Sequence, residues 1–195
     1  MGFQLGGLTV FFDFSFFAAL GVFMSLESSG RDLGHILFAF LIHELGHLAA
    51  AAAVHIPMER MCFSCFGIEL VRGKGLSSAR WWEEAFVYLA GPLVNLGCAV
   101  GFLCLPEKFI SAAAVHLVLG TFQLLPIGAL DGGCFAKVLL EHFFEPGRAE
   151  FLGMMISAAV LIPLAAAGWA LLKGENRNFT LLLCCAFLIL SIWKD

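Results

Sequence analysis

Two histidines and a glutamate within residues 43–47, HELGH, have the types and the spacing needed for metal chemistry. On an α-helix the positions i and i+4 lie on one face, so His43 and His47 can reach one Zn²⁺ while Glu44 lies close enough to activate a water bound to it. The surrounding segment, LGHILFAFLIHELGHLAAAAAVHI, is apolar enough for a lipid bilayer. Because an idle polar group in hydrocarbon is costly, the motif predicts zinc chemistry within a membrane. The alternative is that a membrane histidine only hydrogen-bonds to a neighbouring carbonyl.

The composition favours a membrane protein. Of the 195 residues 61% are hydrophobic and only 13% are charged, whereas soluble domains carry about 25% charged residues. The formal net charge of -4 is spread over short connections and there is no basic run. We therefore expect the lipid bilayer as a partner and no nucleic acid.

The pattern of apolar segments predicts an all-α integral membrane protein with about six transmembrane helices. A span needs about 20 mostly apolar residues, and polar or Gly/Pro positions separate the candidates. The first apolar stretch has no Lys or Arg before it, as a signal peptide would, and it contains Asp13. We therefore expect a retained span there and not a cleaved signal peptide. The predicted spans are residues 4–26, 33–55, 82–105, 109–143, 150–172 and 178–193.

Two segments depart from the pattern of simple spans. The fourth is too long for one straight helix and contains Pro126, Gly132 and Gly133, which predicts a broken helix that lines a cavity. Between spans two and three, the alternating sequence of residues 57–74 is typical of strands around a turn. We expect a small β-hairpin there.

The basic residues indicate an orientation. Six spans place more Lys and Arg on the side that also holds the chain termini, and the cytoplasmic side normally carries that excess. Both termini are therefore predicted to be cytoplasmic, with the metal site opening toward the cytoplasm. The cytoplasmic set is Arg60, Arg72, Lys74, Arg80, Lys137, Arg148 and Lys194, and the opposite set is Arg31, Lys108, Lys173 and Arg177.

A catalytic zinc normally has three protein ligands and one open position, so the two histidines need a third residue. Asp131 is the best candidate, because it lies in the broken span and is followed by two glycines that let the backbone approach closely. The alternative is that Asp131 caps a helix resuming near residue 133. Competing ligands are His116, His35 and His55, which are less well placed along their helices.

Together these residues resemble the site-2 protease family of intramembrane zinc metalloproteases. The resemblance rests on HELGH at residues 43–47, AGPLVN at 90–95 and LLPIGALDGG at 124–133, in the family's order and on separate spans. It covers most of the chain, with the compact six-span bacterial enzymes that process sporulation factors as the most similar branch. A single membrane-embedded domain over residues 1–195 is expected, without a PDZ or CBS domain.

The resemblance implies roles for individual residues. His43, His47 and Asp131 would bind one Zn²⁺, and Glu44 would be the catalytic acid and base. Asn95 and Gln123 are candidates for binding the substrate or the oxyanion, although Gln123 stands where the family has asparagine. Asn95 could equally form an interhelical hydrogen bond.

The expected function is that of an intramembrane zinc endopeptidase which hydrolyses peptide bonds in or near transmembrane segments of membrane-tethered proteins. Its partners would be a membrane-spanning protein substrate and a regulatory membrane protein, in a bacterial cell membrane. A membrane transporter or metal carrier that uses the His/Asp site is the alternative. A carrier would have no need for Glu44 as a proton shuttle.

Overall fold

The structure is a computed structural model that describes residues 2–5, 8–12, 31–56, 58–64, 67–72, 79–173 and 179–194. Most of these residues are helical, and the strands lie in the first 72 residues. The strands are β1 (Gly2–Leu5), β2 (Leu8–Phe12), β3 (Met58–Ser64) and β4 (Gly67–Arg72). The helices are α1 (Arg31–Ala53), α2 (Trp81–Leu103), α3 (Ile110–Gln123), α4 (Asp131–Phe143), α5 (Pro146–Lys173) and α6 (Thr180–Lys194), with a 3-10 turn at Glu107–Phe109.

Three of the described helices are long and apolar enough to cross a membrane: Leu33–Ala53, Trp81–Leu103 and Pro146–Lys173. A fourth apolar helix, Thr180–Leu190, is shorter. These helices correspond to the predicted spans 33–55, 82–105, 150–172 and 178–193. The chain is thus an integral membrane protein with a mostly helical fold, and the count of six spans stays a prediction.

The predicted first span, residues 4–26, is wrong at its start. Within it β2 is a strand at Leu8–Phe12, and β1 pairs with it antiparallel, Phe3 opposite Val10. A run of Phe, Val and Leu suits a buried strand as well as a helix, and the pairing partner decides between them. Residues 13–26 of this prediction lie outside the described residues.

A four-stranded sheet in the order β1-β2-β3-β4 corrects the all-α fold class. Strands β3 and β4 pair antiparallel where the sequence predicts a hairpin, with Met61 opposite Leu70. Strand β2 pairs parallel with β3, Val10 opposite Met61, and so connects segments far apart in sequence. The sheet is therefore larger than the expected hairpin.

The chain divides into two compact units, residues 1–122 and 123–195. In the first, α1, α2 and α3 pack closely at glycines. A Cβ on Gly46 would lie 3.1 Å from the Ala90 carbonyl oxygen, and one on Gly120 would lie 2.9 Å from the Pro92 carbonyl oxygen. Small residues permit such close backbone approach between membrane helices. The two glycines let α1 and α3 approach α2 closely.

The second unit begins with the predicted break. Helix α3 ends at Gln123 and α4 begins at Asp131, so the fourth span is divided into helices of 14 and 13 residues, as predicted. The Ser157 hydroxyl on α5 lies 3.1 Å from the Gly128 N–H, which donates to it. A side-chain hydroxyl thus satisfies one backbone group that the break leaves without a helical partner.

The glycines of the LDGG sequence fit the start of α4 against this break. A Cβ on Gly132 would collide with the Leu124 carbonyl, and a Cβ on Gly133 would collide with the Ile127 carbonyl. The residue preceding the helix is Leu130, so Asp131 occupies the first helical position and is not its N-cap. The prediction that residues 1–195 form one domain stays a prediction.

Replacing Gly120 with Ala should reduce the stability of the folded protein, because the new methyl group meets the backbone of α2. We expect a loss of about 1–3 kcal/mol, the usual cost of overpacking. Denaturation of the detergent-solubilised protein measures it. Gly101→Ala on α2 is the matched control, since a Cβ there meets nothing within 4 Å. Equal stability of the two variants would contradict the close helix contact.

Candidate metal centre

Helix α1 carries the two motif histidines in its apolar middle. His43 and His47 are 1% and 6% exposed, and their ring centroids lie 4.8 Å apart at an angle of 83°. Their Nε2 atoms are 3.2 Å apart. The helical spacing thus brings two nitrogen donors together, as the sequence predicts.

A backbone carbonyl on α2 orients one of these rings. His47 Nδ1 lies 2.7 Å from the carbonyl oxygen of Val87, and a carbonyl can only accept, so His47 donates from Nδ1. The Nε2 lone pair is left to serve as a ligand. Histidine ligands commonly have a partner of this kind, which fixes the tautomer and the ring orientation.

Gly91, in the AGPLVN sequence, makes room for the same ring. A Cβ at this position would overlap the imidazole of His47. Gly91 is itself buried in α2, and its Cα would lie 3.1 Å from a Cβ on Gly46 of α1. The glycine of this motif is therefore explained by its contact with a candidate ligand.

The candidate ligands form a group that fits a metal ion. The ligand atoms of His43, His47 and Asp131 all lie within 4.8 Å of one another. Both histidines are buried and Asp131 is half-buried. Two imidazole nitrogens and one carboxylate oxygen form a donor set used by catalytic zinc sites. The competing candidates His116, His35 and His55 are not part of this group.

The remaining predicted site residues have different surroundings. Glu44 is 6% exposed. Asn95 is fully buried, with its amide between the rings of His43 and His116. Gln123 is half-buried at the last residue of α3. The contact between Asn95 and His116 has no signal in the sequence, because it depends on how α2 and α3 are rotated toward each other.

Replacing Gly91 with Ala should weaken zinc binding although no candidate ligand is itself substituted, because the methyl group displaces the His47 ring. A loss of about 10- to 100-fold in affinity is expected, the range for lost support of a metal ligand. Competition with a chelator measures it. Gly97→Ala on the same helix adds a Cβ with nothing within 4 Å and should bind zinc as the wild type does. If Gly91→Ala also kept wild-type affinity, the glycine would not be needed for the site.

The chain is similar in sequence to a curated protein and similar in fold to a solved structure. The chain is 29% identical over 150 residues to the protein named "Putative zinc metalloprotease Rip3" from Mycobacterium tuberculosis, which covers 69% of this chain. The chain spans 37% of the length of that relative. No protein-family model matches the chain.

The fold is similar to that of the site-2 protease from Methanocaldococcus jannaschii, with a TM-score of 0.73 and 19% sequence identity. The alignment covers 100% of this chain and 94% of the other. At this identity the likeness concerns the fold alone. The chain thus has the fold of a site-2 protease, sequence similarity to a putative zinc metalloprotease and a group of His43, His47 and Asp131 that could hold one metal ion.

Proposed function

We propose that this protein is an intramembrane zinc endopeptidase, which hydrolyses peptide bonds in or near transmembrane segments of membrane-tethered proteins. The observation that carries the proposal is the convergence of His43, His47 and Asp131 to within 4.8 Å. Their setting in a chain with membrane-spanning helices supports an intramembrane site. A hydrolase needs a reactive water at this position, and Glu44 in the same motif supplies the proton acceptor.

The two histidines and Asp131 would hold the Zn²⁺. When bound there, Zn²⁺ polarises the scissile carbonyl and lowers the pKa of a water molecule toward neutrality. Both imidazoles are buried, and the hydrogen bond from His47 Nδ1 to the Val87 carbonyl keeps the lone pair of that ring on Nε2. Three protein ligands leave a fourth position open for the reaction.

Glu44 would act as general base and then as general acid. Its carboxylate would take the proton of the attacking water and deliver it to the leaving amine. It adjoins His43 in the helix and is 6% exposed, so it lies beside the ligands in a largely dehydrated environment. Low exposure strengthens its interactions with nearby charges.

Of the two amides considered for the substrate or oxyanion, we propose that Gln123 has that role. Asn95 has both polar atoms of its amide directed at imidazole nitrogens, 3.2 Å from His43 and 3.0 Å from His116. Gln123 is the last residue of α3, directly before the helix break. A side chain at that end of the helix could donate a hydrogen bond to a developing oxyanion or to an extended substrate.

A transmembrane substrate must unwind before attack, because its helical peptide bonds are already hydrogen-bonded. We propose that β4 binds the unwound segment by strand addition, since it is an edge of the described four-stranded sheet. Main-chain pairing of this kind holds the substrate extended and tolerates varied side chains. The expected substrates are then transmembrane proteins whose helix can unwind near the membrane surface.

The site would open toward the cytoplasm of a bacterial cell, with both termini on that side. The uneven distribution of Lys and Arg supports this orientation. A regulatory membrane protein would control substrate access. Transport or metal carriage, the alternative function, has no observation in its favour, and it leaves the acid of the HELGH motif without a role.

Glu44→Gln should abolish cleavage of a membrane-spanning substrate and keep zinc bound, because the residue moves protons and is not a ligand. Asp131→Ala is the matched comparison and should lose zinc and activity together. Both variants are assayed after reconstitution in membranes, with zinc measured in parallel. Turnover by Glu44→Gln at the wild-type rate would refute the proposed protease mechanism.

Gln123→Ala should lower cleavage by about 10-fold or more with zinc still bound, as expected for a lost hydrogen bond in the transition state. Gln123→Asn, which restores the residue of the family, should remain active. Rates in reconstituted membranes at several substrate concentrations separate binding from turnover. An unchanged rate for Gln123→Ala would assign the residue to helix packing.

A further inference from the structure

Helices α1 and α3 leave an open groove between them, with a volume of about 390 Å³. Pockets that bind small molecules have volumes of about 300–1,000 Å³, so the groove is large enough for a bulky side chain. Val118 on its rim is 66% exposed, and the groove can therefore be entered from the side. All of its lining side chains are apolar, among them Ile36 and Phe40 on α1 and Val115, Val118, Leu119 and Phe122 on α3.

On α1 the groove lies on the same face as the two histidines of the candidate metal centre. Phe40 follows Ile36 by four residues, and His43 follows Phe40 by three. Residues at such intervals form one stripe along a helix, and this stripe continues to His47. Phe40 lies one turn before His43, about 5 Å along the helix axis, and Ile36 lies about 10 Å before it. The groove thus begins within one helical turn of a candidate ligand.

Helices α1 and α3 meet at one end of the groove and run in the same direction from there. Ser111 Oγ lies 3.3 Å from His35 Nδ1, next to the first groove residue of α1. Further along, the rings of Phe38 and His116 are in edge contact, with centroids 5.9 Å apart. Phe122 is eleven residues beyond Ser111, as the fourth residue of HELGH is beyond His35. The groove therefore runs from the His35 contact to the level of the HELGH motif.

We propose that this groove binds one apolar side chain of the transmembrane substrate, two or three residues from the scissile bond, and so selects the position of cleavage. The scissile bond has to lie at the metal ligands, and an extended chain advances about 3.3 Å per residue. Residues two or three positions away then lie about 7–10 Å from the bond. Along α1 the groove extends from about 5 to about 10 Å before His43, which is the same distance. The inference rests on the proposed function, because it requires cleavage at this site.

The lining and the position of the groove define its occupant. No lining side chain can form a hydrogen bond, so a polar side chain of the substrate would lose its partners on entering, at a cost in free energy. Lipid tails are also apolar, but nothing restricts them to the level of the ligands. A substrate whose scissile bond lies at the metal has to pass this level. The groove therefore suits a large aliphatic side chain of the substrate.

A matched pair of variants on α3 tests the proposal. Leu119→Trp places a large ring in the groove, whereas Leu117→Trp makes the same change at a 48% exposed position that does not line it. Substrates carry Leu or Ala at each of the three positions on either side of the scissile bond. Cleavage is measured in reconstituted membranes, with zinc measured in parallel.

We expect the wild type and Leu117→Trp to cleave the Leu substrate about 10-fold or more better than the Ala substrate at one position, two or three residues from the scissile bond. This is the discrimination that an apolar pocket gives between side chains of different size. Leu119→Trp should lose the preference through a higher KM for the Leu substrate, because the ring occupies the space, and it should keep its zinc.

Leu119→Ala enlarges the groove and tests the proposal independently of whether Leu119→Trp folds. Its preference at the same position should shift from Leu to Phe. The same side-chain preferences in the wild type and in both Leu119 variants would overturn the proposal and assign the groove to lipid. Failure of the zinc-loaded wild type to cleave any of the substrates would instead refute the proposed function.

Discussion

Polar side chains buried among apolar helices need partners within the protein, and this requirement determines how α1, α2 and α3 are arranged. An unpaired buried polar group costs about 1–3 kcal/mol. His47 finds its partner in the Val87 carbonyl and His43 finds one in Asn95. Both partners belong to α2, so the position of α1 against α2 is set by the site as well as by packing. Gly46 and Gly91 permit the short distance that these hydrogen bonds need.

The backbone groups at the helix break also need hydrogen-bond partners within the protein. Pro126 lacks an N–H group, and the segment between α3 and α4 leaves backbone groups without helical partners. Ser157 accepts from the Gly128 N–H, and Gly133 allows the Ile127 carbonyl to lie against the first turn of α4. Asp131 therefore begins a helix at a position defined by packing and hydrogen bonds. A carboxylate at that point is suited to metal binding because its backbone is held on both sides.

The sequence predicts the elements that depend on local composition. The apolar runs of α1, α2, α5 and α6 and the break at Pro126 need no knowledge of distant residues, and the structure agrees within a few positions. The HELGH spacing likewise predicts the convergence of His43 and His47. The start of the first span was mispredicted, because the strand at Leu8–Phe12 is stabilised by β3, which lies some fifty residues further along the chain. Helix rotation, which brings Asn95 to His116, has no local signal either.

The neutral amide at position 95 follows from the charge of the site. If Zn²⁺ is held by His43, His47 and Asp131 as proposed, the carboxylates of Asp131 and Glu44 would balance its two positive charges. An aspartate in place of Asn95 would add an uncompensated negative charge at a fully buried position. An amide supplies orientation without charge. It can also present either its oxygen or its N–H group to His43, which a carboxylate cannot do. A neutral side chain that has both a donor and an acceptor therefore suits the position between His43 and His116.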